Sequence, residues 1–301
     1  MTDTNQRPGF FKLYFKNFKP MLVGNLLFAV PAILAVALIY CIAKLINQTT
    51  NLWLMALVIP LVYPFYSGVT QITKDIVRNS KEKIKPVELY KKGVKNNFWY
   101  FALYGIILYV SLIISYYSIV IYFKLATSSW IFYIPLFVTI LIALFILFMS
   151  FSIPILTVTL ELKLKHYFKN SVLMAFGELP MNFYVAVTSM VLISGCLSVP
   201  LYTGDVRIGI IVLLIALVLI LPTGISYCSV YRLYPKMERL FEIEPKDEEK
   251  SFPTMPVAVP TDDEGNPIHK ISDDDEEYIF VNGKMIKKSQ APSAEYIDES
   301  D

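Results

Sequence analysis

The sequence is poor in the residue types that most often carry chemistry. Its 301 residues include only three cysteines and two histidines. His166 and His269 are far apart and have no partners at metal-ligand spacing, and the phosphate-loop, dinucleotide-binding, nucleophile-elbow and zinc-protease motifs are all absent. We therefore expect a protein that is not an enzyme and that needs no metal or other cofactor.

Charge is also scarce, while apolar residues form long runs. Only 17% of the residues are charged and 55% are hydrophobic, with a mean hydropathy of +0.52, which is typical of a membrane protein. A membrane-spanning helix needs about 20 mainly apolar residues. Six runs meet this length and predict an all-helical, six-span bundle in a lipid bilayer: 21–46, 52–72, 98–123, 130–158, 183–202 and 208–230.

The middle of all six runs lacks ionisable residues. Such residues are the usual sign of an ion pathway or a proton relay, so a proton- or sodium-driven mechanism is not expected. Basic residues lie instead in alternate connections, with four in 7–19, eight in 74–95, three in 163–169 and three in 232–239. Because basic loops stay in the cytoplasm, both termini are predicted to be cytoplasmic. Frequent Lys, Ile, Asn and Tyr indicate a bacterial plasma membrane.

One junction occurs three times. The pair Asn-Phe stands at Asn17, Asn97 and Asn182, each time after a basic, aromatic stretch and before an apolar run. The stretches are 10–20, 87–97 and 164–180, and helical spacing of their apolar residues predicts elbow helices in the headgroup plane. A proline also occurs in each return run, at Pro64, Pro154 and Pro222. These marks favour three repeated hairpins, although a plain bundle without separate elbow helices is the alternative.

Uncharged polar residues are the remaining candidates for a binding site. They gather toward the predicted cytoplasmic ends of the runs, close to the three prolines: Asn25, Ser67, Thr70, Thr157, Thr223 and Ser226. Such residues also join helices to one another in membranes, and this packing role is the preferred interpretation.

The chain changes character after residue 244. Residues 245–301 hold 15 acidic and 6 basic residues, whereas residues 1–244 are basic overall. The sequence thus predicts a membrane domain at 1–244 and a largely disordered acidic cytoplasmic tail at 245–301. Within the tail, Asn282-Gly283 between short apolar runs is typical of a β-hairpin, here at 278–288. Tyr278, Phe280, Asn282 and Gly283 are the candidates for partner binding.

Three stretches carry a family resemblance. They are GFFKLYFKNFKPMLVGNLLFAVP from Gly9, YPFYSGVTQITKDIVRNSKEKIKPVELYKKGVKNNFWYFALYGIIL from Tyr63, and IPILTVTLELKLKHYFKNSVLMAFGELPMNFYVAVTSM from Ile153. In this order, over residues 9–241, the chain resembles the YesL family of bacterial membrane proteins of unknown function. The resemblance implies a compact six-span domain, often found in the company of carbohydrate-uptake transporters. It implies no functional residues.

Two functions from different classes follow. The first is a non-enzymatic accessory protein that associates with a transporter or another membrane protein, with a link to carbohydrate uptake. The alternative is a facilitator for a small neutral solute, which the repeat and the polar residues would serve. The expected partners are the lipid bilayer and a membrane protein, and no nucleic acid.

Overall fold

The computed structural model describes residues 8–78, 84–204 and 206–241, and the strands at 278–281 and 284–287. The chain divides into two compact units, residues 1–247 and 248–301. All regular structure described in the first unit is helical: α1 Phe10–Lys16, α2 Phe18–Leu45, α3 Leu52–Ala56, α4 Val58–Arg78, α5 Pro86–Ala126, a 3-10 turn at Trp130–Phe132, α6 Tyr133–Thr159, α7 Leu164–Gly177, α8 Leu179–Thr203, α9 Val206–Leu219 and α10 Leu221–Leu240.

Five candidate spans in the described residues are long and apolar enough to cross a membrane: Phe18–Leu45, Leu52–Arg78, Pro86–Ala126, Trp130–Thr159 and Leu179–Cys196. The sixth predicted run, 208–230, falls on α9 and α10, which are bent by 44° and count as a sixth span only if the pair is taken together. Outward-facing side chains such as Ile114, Ile134 and Phe137 are apolar and exposed, as lipid contact requires. The structure thus shows an all-helical first unit with five or six helices that are candidates to span a membrane, and it does not establish six spans or three repeated hairpins.

The predicted elbow helices are found at two of the three junctions. α1 and α7 are separate helices because the chain leaves helical geometry at Asn17 and at Glu178. At the second junction the prediction of a separate elbow is wrong, since α5 runs without a break through residues 87–97. Pro86 starts this helix at its first position, where a proline is well tolerated, and no later Pro interrupts it. A 41-residue helix is about 61 Å long, twice the hydrocarbon thickness, so it extends well beyond it.

The asparagines of the three junctions make the same local hydrogen bond. The side-chain amide of Asn17 donates to the Leu13 carbonyl, that of Asn97 to Gly93, and that of Asn182 to Glu178, at 3.0, 3.0 and 3.1 Å. Each acceptor lies four residues earlier in the chain. The three junctions therefore share a local hydrogen bond as well as a sequence pattern. The bond forms both where a helix ends and where it continues.

α4 lies at the centre of the first unit, and α2, α5, α6 and α10 pack against it. Its contact with α5 is close because of glycines. A Cβ atom at Gly68 would lie 2.5 Å from the Tyr90 ring, and one at Gly93 would lie 2.8 Å from the Ser67 carbonyl oxygen. Small residues of this kind let two helical backbones approach in a membrane, so the pair forms a closely packed unit.

The start of the chain is fastened to the last helix. The Tyr227 hydroxyl donates to the Phe10 carbonyl at 2.8 Å, and the Tyr231 hydroxyl donates to the Pro8 carbonyl at 3.1 Å. The rings of Phe10, Tyr14 and Tyr227 also stack against one another. These contacts close the helical unit by joining its two ends.

The second unit contains an antiparallel pair of strands, β1 Tyr278–Val281 and β2 Lys284–Lys287. Tyr278 pairs with Lys287 and Val281 pairs with Lys284, so two residues connect the strands at the position where the sequence predicts a turn. Asn282 and Gly283 themselves lie outside the described residues. So does the remainder of the predicted disordered tail.

Candidate functional site

The structure places the six candidate polar residues at three separate locations. Asn25 and Thr223 meet at the break between α9 and α10. The Asn25 amide nitrogen donates to the Leu219 carbonyl at 2.7 Å, and its oxygen accepts from the Thr223 backbone N–H at 2.8 Å. In an unbroken helix the Leu219 carbonyl would accept a hydrogen bond from the Thr223 backbone N–H. The Asn25 side chain is inserted between these two groups and bonds to both. This pair serves helix packing.

Ser67, Thr70 and Ser226 lie on α4 and α10, two helices that pack against each other. The Ser67 hydroxyl donates to the Pro64 carbonyl and that of Thr70 to the Tyr66 carbonyl, both within α4. Ser226 forms a 2.7 Å hydrogen bond with the hydroxyl of Thr73, across to α4. The space beside Thr70 and Ser226 is only about 10 Å³, which is at the lower limit for one water molecule. Ser226 thus joins two helices, the hydroxyls of Ser67 and Thr70 stay within α4, and the space beside Thr70 and Ser226 is too small for a solute.

Thr157 is the one member of the set that lines a large polar cavity. Its hydroxyl donates to the Ile153 carbonyl at 2.8 Å and lies 3.3 Å from the Tyr104 hydroxyl. The cavity has a volume of about 690 Å³, within the range of small-molecule sites. The ends of α4 and α6, the first third of α5 and the start of α7 enclose it. Its lining includes Gln71, Lys74, Lys92, Asn96, Asn97, Tyr100, Thr157, Thr159, Glu161, Lys163 and Tyr167.

Lys74 is the most deeply placed charge of this lining. Only 8% of the residue is exposed, and its ammonium donates to the Val158 carbonyl at 2.8 Å and to the Gln71 side-chain oxygen at 3.4 Å. Val158 lies in the last turn of α6, where carbonyl groups have no partner within the helix and the helix dipole favours a cation. Lys74 thus stabilises the carboxyl end of α6 and brings positive charge to the cavity wall.

Tyr167 shapes the opposite wall. Its hydroxyl donates to the Leu160 carbonyl at 2.6 Å and accepts from the Leu162 N–H at 3.0 Å, so it holds the short connection between α6 and α7. Burial raises the pKa of this phenol above its ordinary value. The hydroxyl therefore remains protonated at physiological pH and keeps its role as a donor. The connection that carries Glu161 and Lys163 is fixed in place as a result.

The sequence reasoning missed this cavity. In the sequence Lys74 is one of the basic residues that indicate orientation and follows Pro64 by ten residues, and Gln71, Tyr100 and Tyr167 belong to no motif. The local signal is the position of Gln71 and Lys74 on the buried face of α4, where Gln71 directly follows Thr70 and Lys74 comes one turn after Thr70. The cavity itself is assembled from four elements distant in the chain, so no short motif could reveal it.

A second cavity is apolar and lies among the spans. It has a volume of about 520 Å³ and is lined by residues of α2, α4, α5, α6, α8, α9 and α10, including Phe28, Val62, Phe151 and Leu217. Tyr66 is among its few polar lining residues. Such a space suits hydrocarbon and offers little to a polar solute.

Tyr278 and Phe280 of the tail lie on β1. Both belong to the second unit, and the residues that line the polar cavity belong to the first.

The comparisons with known proteins concern one part of the chain. No curated protein and no solved structure matches it. A family model described as "Protein of unknown function, DUF624" matches residues 46–119, which span α3, α4 and most of α5. YesL-like proteins belong to the DUF624 family, so over this segment the match confirms the resemblance that the sequence indicated.

Proposed function

We propose that this chain is a non-enzymatic membrane accessory protein that acts by binding at the polar cavity. The observation that carries the proposal is the contrast between the cavity and the spans. Asn25, Thr73 and Ser226 bond to other parts of the protein, whereas a volume of about 690 Å³ at the ends of four helices stays open. Polar groups that converge on an open cavity favour the binding of a ligand or partner there over the passage of a solute through the membrane.

The rim of the cavity suits contact with another molecule. Lys92, Asn96 and Lys163 line it and are exposed, so a partner can reach them without rearrangement of the spans. The basic connections are predicted to face the cytoplasm, and the partner is accordingly a cytoplasmic segment or ligand of a membrane complex. A role beside a carbohydrate-uptake transporter is the specific form that the YesL resemblance suggests.

Site-specific crosslinking in native membranes tests this function. A photo-reactive residue placed at Asn96 lies on the cavity rim, and one placed at Lys95 is exposed on the same helix but outside the lining. We expect a larger adduct from Asn96 and little from Lys95, in the full chain and in a chain cut after Ile243. An adduct that needs the tail would move the binding surface to residues 244–301. Absence of any adduct from the rim would refute the accessory function.

A facilitator for a small neutral solute is the alternative, and one observation favours it. Transporters often place substrates at discontinuous helices, and α9 and α10 form a bent pair. Uptake by sealed vesicles that contain only this protein would support it, particularly if Thr157→Phe, which places a bulky side chain at the wall of the polar cavity, abolishes uptake. No uptake across a broad panel of neutral solutes would exclude it.

A further inference from the structure

The polar cavity has an excess of positive charge. Three lysines, Lys74, Lys92 and Lys163, line it, against one carboxylate, Glu161. Glu161, Lys92 and Lys163 are all exposed, so water and salt screen their charges alike, whereas Lys74 is more than nine-tenths buried and bonds to the carboxyl end of α6. The field of the lining side chains is positive overall by this count, and it favours an anion.

The start of α7 adds to this field. Lys163 is the N-cap residue of α7, a 14-residue helix, and no side chain caps it in the part of the chain that the structure describes. The amino end of a helix carries partial positive charge and presents backbone N–H groups, which together favour an anion. Because residues 162, 163 and 167 line the cavity, this helix end borders the same space as Lys74.

One buried hydroxyl also indicates a ligand. The Thr159 side-chain oxygen is buried and has no hydrogen-bond partner among the described residues, although Thr159 lines the cavity. A buried polar atom without a partner is unfavourable, and a bound polar molecule would remove this cost. Nearby amides of Gln71 and Asn97 and the Tyr100 hydroxyl offer further neutral donors and acceptors.

We propose that the polar cavity binds a phosphate ester, with the phosphate between the lysines and the polar remainder against the amides and hydroxyls. Phosphate fits better than a carboxylate because it has more acceptor oxygens and more charge to set against the exposed ammonium groups of Lys92 and Lys163 and the helix end. The ester is either a soluble phosphomonoester or the headgroup of an anionic lipid. This inference rests on the proposed binding function and specifies the ligand of that same cavity.

Two matched double variants of the full chain test the inference. Lys92→Gln with Lys163→Gln removes two charges from the cavity lining. Lys95→Gln with Lys165→Gln removes two exposed charges from the same two helices outside the lining. Both pairs change the net charge equally and leave Lys74 and the end of α6 intact.

Each form is placed in nanodiscs of phosphatidylcholine and titrated calorimetrically with inorganic phosphate and with glycerol 3-phosphate. In the second arm the nanodiscs contain phosphatidylglycerol, and the shift in thermal unfolding midpoint is measured, since a ligand that binds the folded state raises it. The two arms separate a soluble ester from a lipid headgroup.

We expect saturable binding or a lipid-dependent shift in the unaltered chain and in the control pair. In the cavity pair we expect the dissociation constant to rise by about tenfold or more, or the shift to vanish, because hydrogen bonds to charged groups are lost. Equal weakening in both pairs, or no effect of either source, would overturn the inference. A partner that still crosslinks at Asn96 in that case would leave the proposed function standing and remove only its phosphate ligand.

Discussion

Replacement of Asn25 by leucine is the sharpest test of how the broken span is held. The side chain is fully buried and occupies the gap between the Leu219 carbonyl and the Thr223 N–H, to which it bonds at 2.7 and 2.8 Å. Leucine has the same number of side-chain heavy atoms with the same branching, has larger methyl groups in place of the amide, and has no polar atoms. The change therefore removes both hydrogen bonds while it keeps the site filled with a side chain of the same branching.

The expected loss follows from those two bonds. Interhelical hydrogen bonds in membrane proteins contribute on average about 0.6 kcal/mol and at most about 1.7 kcal/mol each, so we expect Asn25→Leu to lower the free energy of unfolding by about 1–3 kcal/mol. The two backbone groups could recover part of this by bonding to each other, but Pro222 opposes a straight helix since its ring clashes with the carbonyl four residues earlier. Adding Pro222→Ala to Asn25→Leu should therefore restore some of the lost stability.

Unfolding by SDS in mixed micelles, followed by tryptophan fluorescence, measures these changes. Leu26→Ala is the control, because Leu26 is the next residue of α2 and is 47% exposed on the lipid-facing side. It should change the free energy of unfolding by no more than about 0.5 kcal/mol. If Asn25→Leu were as stable as the unaltered protein, the inserted amide would not hold the break, and the reasoning would be refuted.

Three further changes have clear expectations. Gly93→Ala should destabilise by about 1–3 kcal/mol in the same assay, since the new Cβ lies 2.8 Å from backbone of α4, while Gly177→Ala, with nothing within 4 Å, should not destabilise. Thr73→Val and Ser226→Ala should each cost about 1 kcal/mol and be non-additive, because they share one hydrogen bond; full additivity would contradict that bond. Tyr167→Phe should speed amide hydrogen exchange at residues 160–163, and unchanged protection there would show that the phenol does not hold the connection.

The spans were predictable from the sequence because the cost of polar backbone in hydrocarbon leaves few solutions. The break in the sixth predicted span was not predictable, even though Pro222 stands within that run. Pro64 and Pro154 also stand within helices, and α4 and α6 continue through them. What distinguishes Pro222 is the partner residue Asn25, which lies nearly 200 positions earlier in the chain. The outcome at a proline thus depends on a tertiary contact that periodicity cannot show.

The candidate site was harder to predict for a related reason. A search for polar residues inside apolar runs finds those that membranes use to join helices, and Asn25 and Ser226 do this. The cavity instead uses Lys74 and Lys163, which in the sequence are two among many cations at the ends of runs. Their burial differs sharply, since Lys74 is almost fully enclosed and Lys163 is exposed. The position that each lysine takes among the assembled helices, and not its residue type or its burial, makes it a cation of the site.

The three junction asparagines show how much of the local structure a short repeated sequence pattern can determine. Asn17, Asn97 and Asn182 all bond to the carbonyl four residues earlier, yet a helix ends at the first, continues through the second and has just begun at the third. A side chain that returns to its own helix neither requires a break nor prevents one. The break follows instead from the next neighbours: Pro86 begins one long helix far ahead of Asn97, while Asn182 also reaches the Met174 carbonyl of the preceding helix and fastens α7 to α8. The repeated pair therefore fixes a local bond, and the surrounding chain decides whether an elbow forms.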